Sequence, residues 1–217
     1  MGKETSTATV LEQFKAARLY VITTTPVARQ TYERMVEEAC AGGADVLQFR
    51  DKLLSHKELY EKATRLRAIC AEHGVLFIVN DFLEVALAAG ADGVHLGQDD
   101  LPTVEARKIL HMSGVSNFLV GRSTHSLEHA LQAEREGADY IGIGPVFSTP
   151  TKPGYPPVGL ELVRQVTARV RAPHVAIGGI DATNVESVLA AGAERVAVVR
   201  AVCGAPDIRK AAEPASV

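Results

Sequence analysis

Short apolar runs alternate along the chain with longer segments whose apolar residues recur every three to four positions, the mark of strands alternating with amphipathic helices. Four of the runs share one wording: AGGADVLQFR (41–50), AAGADGVHLG (88–97), REGADYIGIG (135–144) and AAGAERVAVV (190–199). Each reads as a helix end, a glycine, an Ala-Asp or Ala-Glu pair and then a strand. Their glycines, Gly43, Gly90, Gly137 and Gly192, are spaced 47, 47 and 55 residues apart, which leaves room in each interval for one more strand and two helices. The intervening strands are visible as LYVIT (19–23), VLFIVN (75–80), NFLVG (117–121) and HVAIG (174–178). The helical period predicts helices over 29–41, 55–73, 82–89, 103–111, 126–136, 158–170, 181–190 and 205–212.

Eight strands that read as apolar runs, each followed by a helix, call for a parallel sheet covered by helices. An open doubly wound sheet would show the same alternation. The quarter repeat instead favours the rotationally symmetric closed form, the α/β (β/α)8 TIM barrel, which has no edge strands. The barrel is expected over residues 18–217 as one catalytic domain. Residues 1–17 form an N-terminal extension whose short helix, around 8–17, carries Leu11, Phe14 and Ala17 on one face and is placed to plug the barrel bottom.

Composition narrows the function. The 217 residues are 47% hydrophobic and 23% charged, with a net charge of -3, so a disordered or disulfide-stapled chain is excluded. There is no basic block, aromatics are 5% and Trp is absent, which argues against a nucleic-acid partner. No run approaches the roughly 18 apolar residues of a membrane span. The polar start MGKETSTATV has no apolar signal centre and points to a cytoplasmic protein. Cys40, Cys70 and Cys203 are widely spaced and read as reduced core thiols. Oligomeric state is left open, a homo-oligomer included.

Catalytic groups in such barrels come from the C-terminal ends of the strands. Arg50 and Lys52 alternate along an extended segment, so both can approach one anion; the ordinary alternative is a salt-bridged pair with Asp51 or neighbouring acids. Asp81 and Asp100 follow neighbouring strands about 4.8 Å apart and are placed to share Mg2+, or else to cap the helices that follow, as Asp99 also is. The loop after strand six, GPVFSTPTKPGYPP, is longer than usual and sets Thr149, Thr151 and Lys152 between prolines, a turn-rich frame for a phosphate. Gly178 and Gly179 let the backbone approach a second phosphate, with Asp181 or Thr183 as the cap of the next helix. His95, inside a strand, reads as a satisfied core histidine. With no rim cysteine, and with Ser123 and His125 lacking a third partner, covalent catalysis is disfavoured.

The stretches Q-F-R-D-K (48–52), N-D (80–81), H-L-G-Q-D-D (95–100), R-S-T-H (122–125), G-P-V-F-S-T-P-T-K (144–152) and A-I-G-G-I (176–180) resemble thiamine phosphate synthases. The likeness runs from LYVIT to VVRA. It implies a transferase of thiamine biosynthesis that joins hydroxymethylpyrimidine diphosphate to phosphorylated hydroxyethylthiazole, releasing pyrophosphate with Mg2+ by a dissociative route. It further implies Gln48, Arg50, Lys52, Asn80, Ser123 and Lys152 for the pyrimidine diphosphate. Of these, Arg50, Lys52, Ser123 and Lys152 are the implied catalytic residues. Asp81 and Asp100 are implied for magnesium, and Thr149, Pro150, Thr151, Gly179, Val199 and Arg200 for the thiazole phosphate. The family often has Ser where Arg200 stands, so this chain sets a bulkier cation there. The alternatives are a related thiazole tautomerase using His125, a phosphosugar isomerase or aldolase, and an inactive phosphate-binding module.

Overall fold

Each repeated glycine ends a helix in a left-handed conformation, with φ of 115° at Gly43, 66° at Gly90, 86° at Gly137 and 102° at Gly192. A side chain there would strain the backbone, so glycine ends the helix and redirects the chain into a strand. The aspartate two residues later has a second task. Asp45 accepts from the Leu19 N–H at 2.9 Å, Asp92 from Phe77 at 2.8 Å and Asp139 from Val120 at 2.6 Å. In three of the four repeats the carboxylate therefore holds the start of the preceding strand. The fourth repeat has Glu194, which turns to Arg195 at 3.1 Å. Asp45→Ala leaves the Arg18 and Leu19 N–H groups without their acceptor. It should lower stability by about 2 kcal/mol in urea titration while leaving turnover at saturating substrate unchanged.

The computed structural model describes residues 9–23, 31–150, 154 and 156–213. The strands are β1 (Leu19–Ile22), β2 (Val46–Phe49), β3 (Leu76–Asn80), β4 (Gly93–Leu96), β5 (Leu119–Thr124), β6 (Tyr140–Ile143), β7 (His174–Ile177) and β8 (Val196–Val198). They pair in parallel in chain order, and β8 pairs back onto β1 with Tyr20 opposite Ala197, so the barrel is closed. The helices are α1 (Val10–Ala16), α2 (Tyr32–Gly42), α3 (His56–Glu72), α4 (Leu83–Ala88), α5 (Thr103–Met112), α6 (Leu127–Arg135), α7 (Gly159–Arg169), α8 (Val185–Ala190), α9 (Arg200–Cys203) and α10 (Ile208–Ala211).

Strand period two sorts the apolar residues into two shells. Tyr20, Val46, Leu76, Ile78, Leu119, Tyr140, Val175 and Ala197 fill the barrel, while Val21, Leu47, Phe77, Val94 and Val120 face the helices. The barrel bottom is closed by α1. Thr9 and Glu12 form its capping box, Phe14 is wholly buried with its ring 4.2 Å from that of Tyr140, and Ala17 is buried beside it. Buried Arg195 donates to the carbonyls of Phe14, at 3.0 Å, and Lys15, tying down the C-terminal end of α1.

Several helix starts differ from the sequence reading. The expected helix over 29–41 begins at Tyr32 on a Thr31 cap, and residues 24–30 lie outside the described residues. Neither Asp81 nor Asp99 nor Asp100 caps a helix: α4 starts from Phe82 and α5 from Pro102, each without a side-chain cap. Asp181 accepts from the N–H and hydroxyl of Thr183, at 2.9 and 2.6 Å, which folds the turn before α8 rather than capping that helix. The short α9 after β8 was not predicted; four residues are too few to show a helical period. No helix among the described residues is long and apolar enough to cross a membrane.

Candidate active site

The same period that fills the barrel also builds its mouth. Interior positions are apolar at the bottom and turn polar at the C-terminal ends: Gln48 on β2, Asn80 on β3, His95 on β4 and Ser123 on β5 all line one cavity of about 460 Å³ with Tyr20, Ile22, Val175 and Ile177. One step of two beyond Gln48 brings Arg50 to the same cavity. A smaller pocket of about 270 Å³ adjoins it, shares Arg50, Asn80, Ser123 and His125, and adds Lys52, Asp81, Gln98 and Asp100. Polar residues from the ends of β2 to β5 thus converge on one place.

Asp51 does not pair with Arg50 or Lys52. It is buried, accepts from the Tyr32 hydroxyl at 2.5 Å and from the Leu53 N–H at 2.7 Å, and so fixes the loop that carries its two cationic neighbours. Lys52 instead lies 3.5 Å from Asp81. Arg122 faces away from the cavity, where it donates to the carbonyls of Leu101 at 3.1 Å and Gln98 at 3.4 Å and holds the β4–α5 loop. Within that loop Asp100 accepts from the Gly97 N–H at 2.6 Å.

Asp81 is the one non-glycine among the described residues with a positive φ, 67°, and its N–H donates to the His95 carbonyl at 2.8 Å. Aspartate tolerates this region better than most residues, and strain of this kind persists where the surrounding structure holds it. The turn brings its carboxyl against that of Asp100. Burial, followed by the Asp100 carboxyl, pushes Asp81 up to about 6, and the Lys52 ammonium offsets only part of this. Two acids pressed together beside a lysine suit a divalent cation. Among the described residues no third His, Cys, Asp or Glu joins them, so substrate or water oxygens would complete the shell, as Mg2+ usually requires.

The opposite wall is backbone. Gly178 and Gly179 have φ of 105° and 66°, and an added Cβ would lie 2.5 Å from the Cα of Pro145 in the first case and 2.8 Å from the Ser148 carbonyl in the second. Glycine therefore allows the β7–α8 turn to pack against the β6–α7 loop. Val199 and Arg200, at the start of α9, line this side together with half-buried Thr149. Pro150 is exposed, and Thr151 and Lys152 lie outside the described residues.

The family profile of thiamine monophosphate synthase matches residues 19–202. The chain belongs to the thiamine monophosphate synthase family. Among its relatives, a thiamine-phosphate synthase of Gloeobacter violaceus is 49% identical over 88% of this chain and 54% of its own length, so the chain spans about half of that protein. A thiamine-phosphate synthase of Chloroflexus aurantiacus is 46% identical over 90% of this chain and 89% of its own. In three dimensions, a thiamine phosphate pyrophosphorylase from Pyrococcus furiosus superposes with a TM-score of 0.84 at 42% identity, covering 94% of this chain and 95% of that one.

For a member of this family, the sequence reading missed the floor of the site. Tyr20 and Tyr140 lie beneath it, and His95, a core histidine by its strand position, is half-buried in the cavity wall with Nδ1 3.1 Å from the Tyr140 hydroxyl and Nε2 2.9 Å from that of Ser123. Its nitrogens are satisfied, as expected, but its partners belong to the site. Tyrosines within apolar runs look like core, and only the strand phase could have turned them inward.

Proposed function

We propose that this chain is a thiamine-phosphate synthase, which transfers the pyrimidinylmethyl group of hydroxymethylpyrimidine diphosphate to hydroxyethylthiazole phosphate and releases pyrophosphate. The observation that carries the reading is the joining of Arg50, Lys52 and the Asp81–Asp100 pair at one end of a cavity whose other end is apolar, with glycine backbone at its rim. A diphosphate needs such cations; a flat heterocycle needs such a slot. Asp81 and Asp100 are the residues that would hold Mg2+, which when bound neutralises charge on the diphosphate oxygens.

The chain's own residues supply the remainder. Arg50 offers a planar fork and Lys52 a point charge to the phosphates, and both interactions strengthen as negative charge gathers on the departing pyrophosphate. Lys152 has the same role in this reading. Gln48, Asn80 and Ser123 bind the pyrimidine side and orient its methylene carbon towards the second ring. Thr149, Pro150, Thr151, Gly179, Val199 and Arg200 take the thiazole phosphate, which leaves the ring nitrogen facing that carbon. Loss of pyrophosphate precedes capture by this nitrogen, so positioning and electrostatics carry the catalysis without a covalent enzyme intermediate.

Purified protein mixed with both phosphorylated heterocycles should release thiamine phosphate and pyrophosphate in equal amounts. Activity should vanish after chelation and return with Mg2+. Binding of both substrates without product would overturn the reading, as would metal-independent turnover. The tautomerase alternative through His125 leaves the Asp81, Asp100 and Lys52 cluster without a use, and His125 Nδ1 is already engaged by the Gly144 carbonyl.

A further inference from the structure

Beneath the cavity, hydrogen bonds join Gln48 to Ser123 without a break. Gln48 Nε2 donates to Tyr20 Oη at 2.8 Å, the Tyr20 and Tyr140 hydroxyls meet at 2.9 Å, Tyr140 Oη meets His95 Nδ1 at 3.1 Å, and His95 Nε2 meets Ser123 Oγ at 2.9 Å. Both ends line the cavity and both tyrosines are buried. The Tyr140 ring is clamped between Phe14, 4.2 Å away, and Gly121, where any Cβ would lie 2.1 Å from the Tyr140 Cζ.

Such a chain has a direction. Burial raises both phenols far above their ordinary range, so each keeps one proton to donate. An amide N–H is only a donor, so Tyr20 Oη accepts from Gln48 and turns its own O–H to Tyr140. Tyr140 then donates to His95 Nδ1, which is therefore the bare nitrogen. The imidazole proton sits on Nε2 and points to Ser123. Ser123 Oγ accepts from below, and its own O–H is left for whatever the cavity holds. At the other end, Gln48 commits Nε2 to the floor and keeps Oε1 as its acceptor for the cavity.

We infer that Tyr20 and Tyr140 are positioning residues that set the polarity of the cavity floor, making Ser123 a donor and Gln48 an acceptor towards the bound ring. An aromatic ring with an amino donor and a bare ring nitrogen matches that pair, so for its substrate this inference rests on the reading above. The opposite arrangement, with Gln48 Oε1 on Tyr20, would put the histidine proton on Nδ1 and make Ser123 donate downward. The two polarities therefore differ at one measurable atom.

Long-range proton–nitrogen correlation spectra of protein labelled at histidine with heavy nitrogen report the tautomer. The His95 signals are identified by their loss in His95→Gln. The ligand-free wild type should show His95 as the Nε2–H tautomer. Tyr140→Phe keeps the clamped ring but removes the donor to Nδ1, and should give a mixture of tautomers. It should also lower kcat/KM for the pyrimidine diphosphate about 10-fold, mainly through KM, with KM for the thiazole phosphate unchanged. Tyr20→Phe, which frees the Gln48 amide to turn, should show the same split between the two substrates. An Nδ1–H tautomer in the wild type would overturn the inference. So would wild-type spectra and kinetics in both variants, or equal losses for both substrates. A wild type that makes no thiamine phosphate would instead refute the functional reading, and the tautomer result would stand apart from it.

Discussion

Asp81→Asn should lower turnover at saturating substrates by at least about 100-fold, equivalent to ~3 kcal/mol of lost transition-state stabilisation, while making the metal-free protein more stable. The two effects share one cause. Asp81 is pushed up to about 6 from 3.8 by burial and by the facing Asp100, so the metal-free fold disfavours the charge that cation binding requires. The folded chain holds this proton more tightly than the unfolded chain. The contribution of Asp81 to metal-free stability is therefore fully present below 3.8 and is lost as pH rises from there through about 6. Asn removes the charge, tolerates the left-handed φ of 67° and should abolish that slope. At pH 8 the gain should be about 1–2 kcal/mol, reduced from the full shift because the site is partly open to water. Adding Mg2+ should raise the melting temperature of the wild type and leave the variant unmoved. Thermal melts of both proteins between pH 4 and pH 8, with and without the ion, provide the check. Wild-type turnover in Asp81→Asn would remove this residue from the metal site.

Gly121→Ala should be among the most damaging single methyls in the barrel. The new Cβ would lie 2.1 Å from Cζ and 2.5 Å from the hydroxyl oxygen of Tyr140, whose ring is wholly buried and backed by Phe14. With no space to retreat into, the ring must leave its hydrogen bonds to Tyr20 and His95 or the strands must part. The combined overpacking and lost bonding should cost about 3 kcal/mol or more, a fall in melting temperature of about 6–12 °C for a chain of this size. Calorimetry would show it, and a variant melting within a degree or two of the parent would mean that Tyr140 has slack. Gly142, on the neighbouring strand, makes the milder comparison, because its added Cβ would stand 3.2 Å from the His95 ring.

The candidate site was legible wherever a polar residue interrupted an apolar run near the end of a strand. Gln48, Arg50, Asn80 and Ser123 stand at such places, and all four line the cavity. Asp81 and Asp100 were found too, but with the helix cap left open as their alternative; their meeting depends on a left-handed turn that aspartate does not advertise in sequence. Tyr20 and Tyr140 escaped because a tyrosine inside a strand has the same appearance whether it packs beneath a helix or lines a cavity. Arg122, in the same R-S-T-H stretch as Ser123, is a buried brace for the β4–α5 loop, since it sits one position out of phase with Ser123.

The repeated Gly-Ala-Asp wording already contained the architecture. Four helix-ending glycines at near-equal spacing, each leading to a strand, determine the eightfold alternation and favour its closed form, because local backbone freedom and strand period are properties of the chain itself. The tertiary structure alone decided what those aspartates hold, which strand faces turn inward and how far Tyr140 lies from His95. Such contacts join residues far apart in the chain, 120 positions for Tyr20 and Tyr140 and 181 for Phe14 and Arg195. No local preference encodes them; they exist only once the barrel closes.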